Sequence, residues 1–341
     1  MVLSVVVPTY KRPGSLRCCL QSLMAGRRVP DEIVVVIRDT DATSANIAAE
    51  FQAHLPRGIR LVRTVVERPG LVAALNAGLA SASGEVICFL DDDMVVSAEW
   101  LGKIEAHFRD PGVGGAGGRD VVYRDGMPIT VPAVTRVGCV DWLGRIIGNH
   151  HCDPLFSEPV YVGHLKGCNM TFRRSLLPGF DEALAPPGTH SDTDASLSVG
   201  ASGAKLVYDP TSIVHHVVAE RSEPGGRDSQ SAYNVFGHSH NATYCLLKHF
   251  PPVRWPLFFL FSFLIGEGED IGLWKLLRRL LGGDGSALKQ YLVACRGKVV
   301  GIWTYGAGWR TRRERGRQRK AGARARPGPK HAGQTPRKRN A

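Results

Sequence analysis

The run Phe89-Leu90-Asp91-Asp92-Asp93-Met94-Val95-Val96 sets three adjacent carboxylates at the end of an apolar stretch. Neighbouring carboxylates repel and raise one another's pKa, so a site that keeps them ionised supplies a cation. Hard carboxylate oxygens suit Mg²⁺ or Mn²⁺. The bland alternative is a solvated acidic turn leading into a helix over 97–108, with Ser97 as its N-cap and Glu99 in its first turn. A second acidic pair stands in Ser191-Asp192-Thr193-Asp194, where an aspartate can equally cap the helical pattern DASLSVGASG. His215 and His216 follow the strand-like Ser212-Ile213-Val214; successive strand residues face opposite sides, so at most one of the two turns readily toward a site.

The elements around these residues decide between the readings. Residues 2–7, 33–37, 60–66 and 85–90 are short β-branched runs, and GSLRCCLQSLMAG and LVAALNAGLASASG carry helical patterns between them. Strands alternating with helices predict an α/β fold, a mostly parallel sheet flanked by helices. In such sheets ligands sit beyond the carboxyl ends of the strands, and PTYKR, RDTD and the acidic triplet all fall there. The triplet is therefore placed like a site. Residues 112–117, GVGGAG, match a dinucleotide fingerprint in letters only, because they run into the strand-like RDVVY instead of opening a helix. Neither a phosphate-binding P-loop nor a CxxC pair occurs, and the scattered cysteines and histidines between 139 and 168 match no zinc spacing. The eight cysteines read as reduced thiols of a cytoplasmic protein.

Six motifs then agree in order and spacing: VVVPTYKRPGSLRCCLQSL, DEIVVV, ERPGLVAALNAGLASASGEVICFLDDDMVV, GCNMTFRRSLLPGFDE, SDTDASLSVGASG and KLVYDPTSIVHH. Residues 2 to about 217 resemble the family-two glycosyltransferases with the GT-A fold. The resemblance implies inverting transfer of a sugar from a nucleotide-diphosphate donor with the help of a divalent metal, Mg or Mn. It implies that Asp91 contacts the ribose or sugar, that Asp93 binds the metal with His216 as a further ligand, that Asp92 supports the donor site, and that Asp192 is the base. Pro8, Thr9 and Tyr10 match the family's opening loop for the donor. Two departures follow: Ser191 stands where the family has Glu, and Ile37-Arg38-Asp39-Thr40-Asp41 replaces its usual acidic second loop. Asp39 is expected to recover a donor contact there. Arg68 is expected to reach the diphosphate, since Leu75 occupies a position where the family often has Arg.

The net charge of +12 is uneven, because residues 309–341 hold 13 Lys and Arg against one Glu and the remainder is neutral. That tail is nearly free of large apolar residues and is expected to lack structure. Before it lie WPLFFLFSFLI, too short to span a bilayer, and GLWKLLRRLLGG, an amphipathic and partly basic segment. Three regions result: a transferase domain over 1–217, a helical appendage over 218–308 that could meet a membrane interface, and the tail. The expected partners are a nucleotide-diphospho-sugar, a glycan or lipid-linked acceptor and an anionic membrane surface, with no role for nucleic acid; the expected place is the inner face of the cell membrane. The competing classes are a nucleotidyltransferase on a similar sheet, which would want a glycine-rich basic loop after the first strand, and a non-catalytic sugar-nucleotide-binding protein.

Overall fold

The computed structural model describes residues 1–218, 231–268 and 270–324. Its first half is built from βα units: β1 (Leu3–Thr9), α1 (Pro13–Met24), β2 (Glu32–Arg38), α2 (Ala42–Ala53), β3 (Arg60–Val66), α3 (Leu71–Ser81) and β4 (Val86–Leu90). Then come β5 (Met94–Val96), α4 (Trp100–His107), β6 (Val113–Arg124), β7 (Val160–Val162), β8 (Asn169–Arg173), α5 (Ser191–Gly200) and β9 (Lys205–Val217). Four helices follow: α6 (Ala232–His249), α7 (Trp255–Leu264), α8 (Leu273–Leu281) and α9 (Ala287–Arg324). Across the main sheet the strand order is β7-β9-β6-β8-β4-β1-β2-β3. The pairs β1–β2, β1–β4, β2–β3 and β6–β9 are parallel, while β8 runs antiparallel between β4 and β6.

Alternation along β1 explains why the sheet is covered on both faces. Leu3, Val5 and Val7 pack with Leu16, Leu20 and Leu23 of α1 and with Trp100 of α4. Val6 points the other way, into a layer with Val72 and Leu75 of α3, Phe180 and Tyr244. A strand buried on both faces reads as a continuous apolar run, which is why β1, β2 and β4 are legible in the sequence.

Two helices differ from expectation. No motif or strong periodicity announces α2, which is initiated by Asp41 accepting from the Ser44 amide at 3.1 Å. Helix α4 begins at Trp100, and residues 97–99 form a turn closed by the Trp100 amide on the Ser97 carbonyl, 3.0 Å, so Ser97 is not an N-cap. Helix α9 is assigned as far as Arg324, which enters the segment expected to lack structure; the rest of that segment, 325–341, lies outside the described residues.

The GVGGAG run lies in β6, as its approach to RDVVY predicts. Glycine is required there by close approach. Strand β9 changes register between Asp209 and Ile213, and a Cβ on Gly118 would stand 1.8 Å from the Ser212 carbonyl oxygen. Gly118→Ala must push that backbone aside, and a loss of about 1–3 kcal/mol is expected. Urea denaturation should show a lower midpoint at an unchanged slope.

Candidate active site

A cleft of about 450 Å³ opens at the carboxyl ends of β1, β2 and β4. Pro8, Thr9, Tyr10, Arg12, Arg38 and all three aspartates of the triplet line one side, and Lys166, Gly167, His190 and Asp192 line the other. Parallel pairing of β1 with β4 sets the first group, because Val6 lies beside Phe89 and the two chains leave the sheet together.

The triplet divides into roles by burial. Asp91 is partly exposed, whereas Asp92 and Asp93 are buried. Asp92 accepts from the Thr9 hydroxyl at 2.7 Å and from the Arg12 guanidinium at 2.8 Å. Burial pushes its carboxyl up to about 6, against the pull of Arg12 and Thr9 and with the help of its two acidic neighbours. The same Arg12 nitrogen stands 3.3 Å from Asp93. On the other flank, antiparallel pairing of β5 with β9 puts His216 beside Met94, and its Nε2 lies 3.5 Å from Asp93 Oδ2. His215 faces away and meets the Tyr123 ring edge-on at 5.6 Å.

Carboxylate oxygens and one imidazole nitrogen form a donor set that suits Mg²⁺ or Mn²⁺. The 3.5 Å between His216 and Asp93 is longer than a hydrogen bond and close to the ~3 Å separating neighbouring ligands of one octahedral ion with ~2.1 Å bonds. The remaining imidazole nitrogen, Nδ1, is buried and makes no hydrogen bond among the described residues. These residues fit a divalent cation.

Asp192 stands in the first turn of α5. It accepts the Gly167 amide on Oδ2 at 2.8 Å, and on Oδ1 the Thr193 amide at 2.7 Å and the Thr193 hydroxyl at 3.4 Å, so its carboxylate is fixed while Oδ2 keeps a further lone pair. Asp194 is turned away, buried and held by Lys248 at 2.8 Å and His249 at 2.9 Å on α6. A family model described as Glycosyl transferase family 2 matches residues 4–177, a span that starts in β1 and takes in the whole triplet.

The chain belongs to glycosyl transferase family 2. An O-antigen biosynthesis protein from Myxococcus xanthus is 29% identical over 233 residues, covering 64% of this chain and 17% of that protein. A succinoglycan biosynthesis protein from Rhizobium meliloti is 29% identical over 227 residues, covering 64% of this chain and 67% of that one. The chain spans only 17% to 25% of the length of the first curated relatives it matches. Among solved structures, a mannosyltransferase from Pyrobaculum calidifontis in complex with GDP-Man and Mn²⁺ shares the fold at a TM-score of 0.55 and 16% identity, covering 88% of this chain and 87% of that one. The family 2 fold here is GT-A.

Of the residues singled out in the sequence, Pro8, Thr9, Tyr10, Asp91, Asp92, Asp93 and Asp192 line one cleft in this family 2 chain, and His216 touches it through Asp93. Asp39 and Arg68 do not line it. Asp39 is exposed and pairs with Arg38 at 3.5 Å, and Arg68 is exposed and pairs with Glu182 at 2.5 Å. The second loop instead contributes Arg38, whose guanidinium lies 5.4 Å from the Tyr10 ring centre, while buried Asp41 holds the loop to α2.

Sequence reading also missed Arg12, Lys166, His190, Tyr233 and His238, all of which line the cleft. Arg12 follows Lys11 just past the end of β1, and nothing in the sequence alone sets one of these two cations above the other. His190 sits in the left-handed region at φ 64, a conformation uncommon for non-glycine residues, and its ring lies tilted beside that of His238 at 4.6 Å. Burial, with His238 and His164 nearby, pushes its pKa far down, so it stays neutral.

Helix α6 holds the Asp192 side of the cleft in position. Asn241 accepts the Ala185 amide at 2.7 Å and donates to the Ala185 and Thr189 carbonyls at 2.8 and 2.9 Å. Lys248 joins Asp194 to Asp181, 2.7 Å away. Burial opposes ionisation of Asp181, but the Lys248 contact outweighs it and lowers the carboxyl pKa; burial likewise opposes the Lys248 charge, and the two aspartates outweigh it and raise the amine. Lys248→Met leaves these carboxylates without their shared cation, and a loss of about 3–5 kcal/mol at neutral pH is expected. Because Asp181 titrates below its ordinary range, its share of stability is present above that range and disappears as pH falls through the lowered value. Urea midpoints of the two proteins should therefore converge in acid.

Proposed function

We propose that this family 2 glycosyltransferase is an inverting enzyme. It moves a sugar from a nucleotide-diphosphate donor to a hydroxyl of a glycan or lipid-linked acceptor, at the inner face of a cell membrane. The observation that carries the reading is the meeting of Asp192 with Asp91, Asp92 and Asp93 in one cleft at the strand ends. The match to relatives in O-antigen and succinoglycan biosynthesis supports a glycan or lipid-linked acceptor. The apolar and basic C-terminal region supports the membrane side.

In this reading the donor base stacks in the slot of Pro8, Thr9 and Tyr10, with the Arg38 guanidinium over the same ring. Asp91, the exposed member of the triplet, contacts the sugar or ribose. Asp93 and His216 would hold the divalent cation, which when bound supplies Lewis-acid charge to the departing diphosphate. The Mn²⁺ that accompanies GDP-Man in the Pyrobaculum calidifontis mannosyltransferase supports a metal of this class. Arg12 brings fixed positive charge to the same end of the cleft. Asp192 accepts the proton of the acceptor hydroxyl as that oxygen attacks the anomeric carbon and the diphosphate leaves from the opposite face. A single displacement of this kind inverts the anomeric centre.

Two variants separate donor binding from proton removal. Calorimetry with a panel of nucleotide sugars and Mn²⁺ should find a donor whose affinity drops on Asp93→Asn, and less so on Asp91→Asn; unchanged affinity in both would sink the metal assignment. Asp192→Asn keeps the side chain's shape but takes no proton, so turnover should fall by about 10²–10⁴ while donor affinity survives. Transfer at the wild-type rate by that variant would remove Asp192 from the mechanism.

A further inference from the structure

The C-terminal helices bury a charged group among apolar neighbours and leave large apolar side chains outside. Lys298 of α9 has no solvent exposure, and its amine reaches the Ser262 carbonyl at 2.5 Å, the Ile271 carbonyl at 3.2 Å and the Asp270 carboxylate at 3.1 Å. Ser262 in turn donates to Asp270 at 2.7 Å. These bonds pin the turn between α7 and α8 onto α9, so the hairpin has a built geometry. A buried charge of this kind is costly unless paired and hydrogen-bonded, and here it is both.

The outer surface is the reverse. Helix α8 exposes Trp274, Leu277 and Leu281 at helical spacing and buries Leu276. Helix α7 exposes Leu260 at 57%, and α9 exposes Trp303 at 73%. Leu281 is 91% exposed. Monomeric proteins seldom leave that much apolar side chain in water on three adjoining helices. Among the described residues no helix is long and apolar enough to cross a membrane. Residues 255–308 hold six Lys and Arg against four acids, Glu267, Glu269, Asp270 and Asp284, but Lys298 and Asp270 pair with each other inside, Arg279 holds Asp284 at 2.5 Å, and α8 itself carries three cations and no acid.

We propose that the outward faces of α7, α8 and α9 form a docking surface for an anionic lipid bilayer, lying in the plane of its interface. Leu and Trp side chains enter the boundary between headgroups and acyl chains, and the Arg and Lys stems run up to anionic headgroups. Charge complementarity selects the bilayer as occupant, because a second copy of this surface would bring like charge against like. The 13 Lys and Arg of residues 309–341 add to the same attraction. Helix α9 packs along α6, and α6 carries Tyr233 and His238 at the cleft, so the docking surface is joined to the cleft through one helix–helix contact.

The inference rests on the membrane side of the proposed function, but vesicle binding needs no transfer chemistry, so the two fail separately. Full-length protein is sedimented with mixed phosphatidylglycerol–phosphatidylcholine vesicles and with pure phosphatidylcholine vesicles, at rising salt. Preference for the anionic vesicles that weakens with salt is expected. The pair Leu277→Glu and Leu281→Glu should weaken binding by about tenfold or more, since both side chains lose their apolar burial in lipid. Thermal midpoints and Mn²⁺-dependent nucleotide-sugar affinity should be unchanged, because both positions are exposed and far from the triplet in sequence. The vesicle-induced blue shift of tryptophan emission should diminish in Trp274→Phe. Vesicle binding that survives the leucine pair undiminished would overturn the proposal and leave the charge of residues 309–341 as the whole attraction. So would a concentration-dependent dimer that the leucine pair dissociates, with no binding to lipid, since it would make the occupant a second copy.

Discussion

Three consecutive aspartates at the end of a strand that is buried along its whole length need positive charge close by. Water cannot supply the compensation, because Asp92 and Asp93 are only 3% and 6% exposed. The fold answers with strand pairing. Because β1 lies against β4, the loop that leaves β1 delivers the Thr9 hydroxyl and the Arg12 guanidinium to Asp92. Because β5 lies against β9, His216 arrives beside Asp93. One guanidinium shared by two carboxylates leaves the triplet with net negative charge, a surplus that would favour the divalent cation of the proposed function.

The Asp192 side obeys a different constraint, since this carboxylate lines the same cleft without a salt bridge among the described residues. Two backbone amides fix it, one from its own helix and one from Gly167. The orientation of α5 then decides where the carboxylate points. Where the family resemblance leads one to expect a glutamate, Ser191 is buried and brings no charge. Support comes from α6 instead: Lys248 and His249 grip Asp194, and Asn241 grips the segment from Ala185 to Thr189 that leads into the helix. A helix assigned by sequence to the appendage thus serves the site directly, through these contacts and through Tyr233 and His238 in the cleft wall.

Legibility in the sequence followed the same division. The core strands and the triplet could be read because a two-face-buried strand is a continuous apolar run and its carboxyl end is where ligands sit. The strand period of two says that only one of His215 and His216 faces the site readily, and the family resemblance points to His216. Asp39 and Arg68 were named by analogy with positions where the family carries a charge, and neither lines the cleft: the loop turns Arg38 toward Tyr10, and Arg68 finds Glu182 at the surface. His190, Tyr233 and His238 carry no motif. Their place depends on how α6 crosses the loop before α5, a tertiary fact with no local signature.

The distribution of charge separates recognition of the donor from recognition of any surface. Outside residues 309–341 the chain is neutral, so the body exerts no strong net field on a polyanion. Under the proposed function the negative charge of a diphosphate would meet cations at fixed positions in the cleft, Arg12, Arg38 and Lys166, the last held beside Asp120. Such contacts act at short range inside a sheltered site and are little screened by salt. The cations of α8, of α9 apart from buried Lys298, and of the tail stand in the opposite setting, toward the surface or on a long basic segment, where their attraction reaches outward and is screened within a Debye length. A chain that needed only its donor would have no physical use for the second set. Its presence next to exposed Leu and Trp, on helices pinned to α6, is what a catalyst would carry if its acceptor were met at a charged interface.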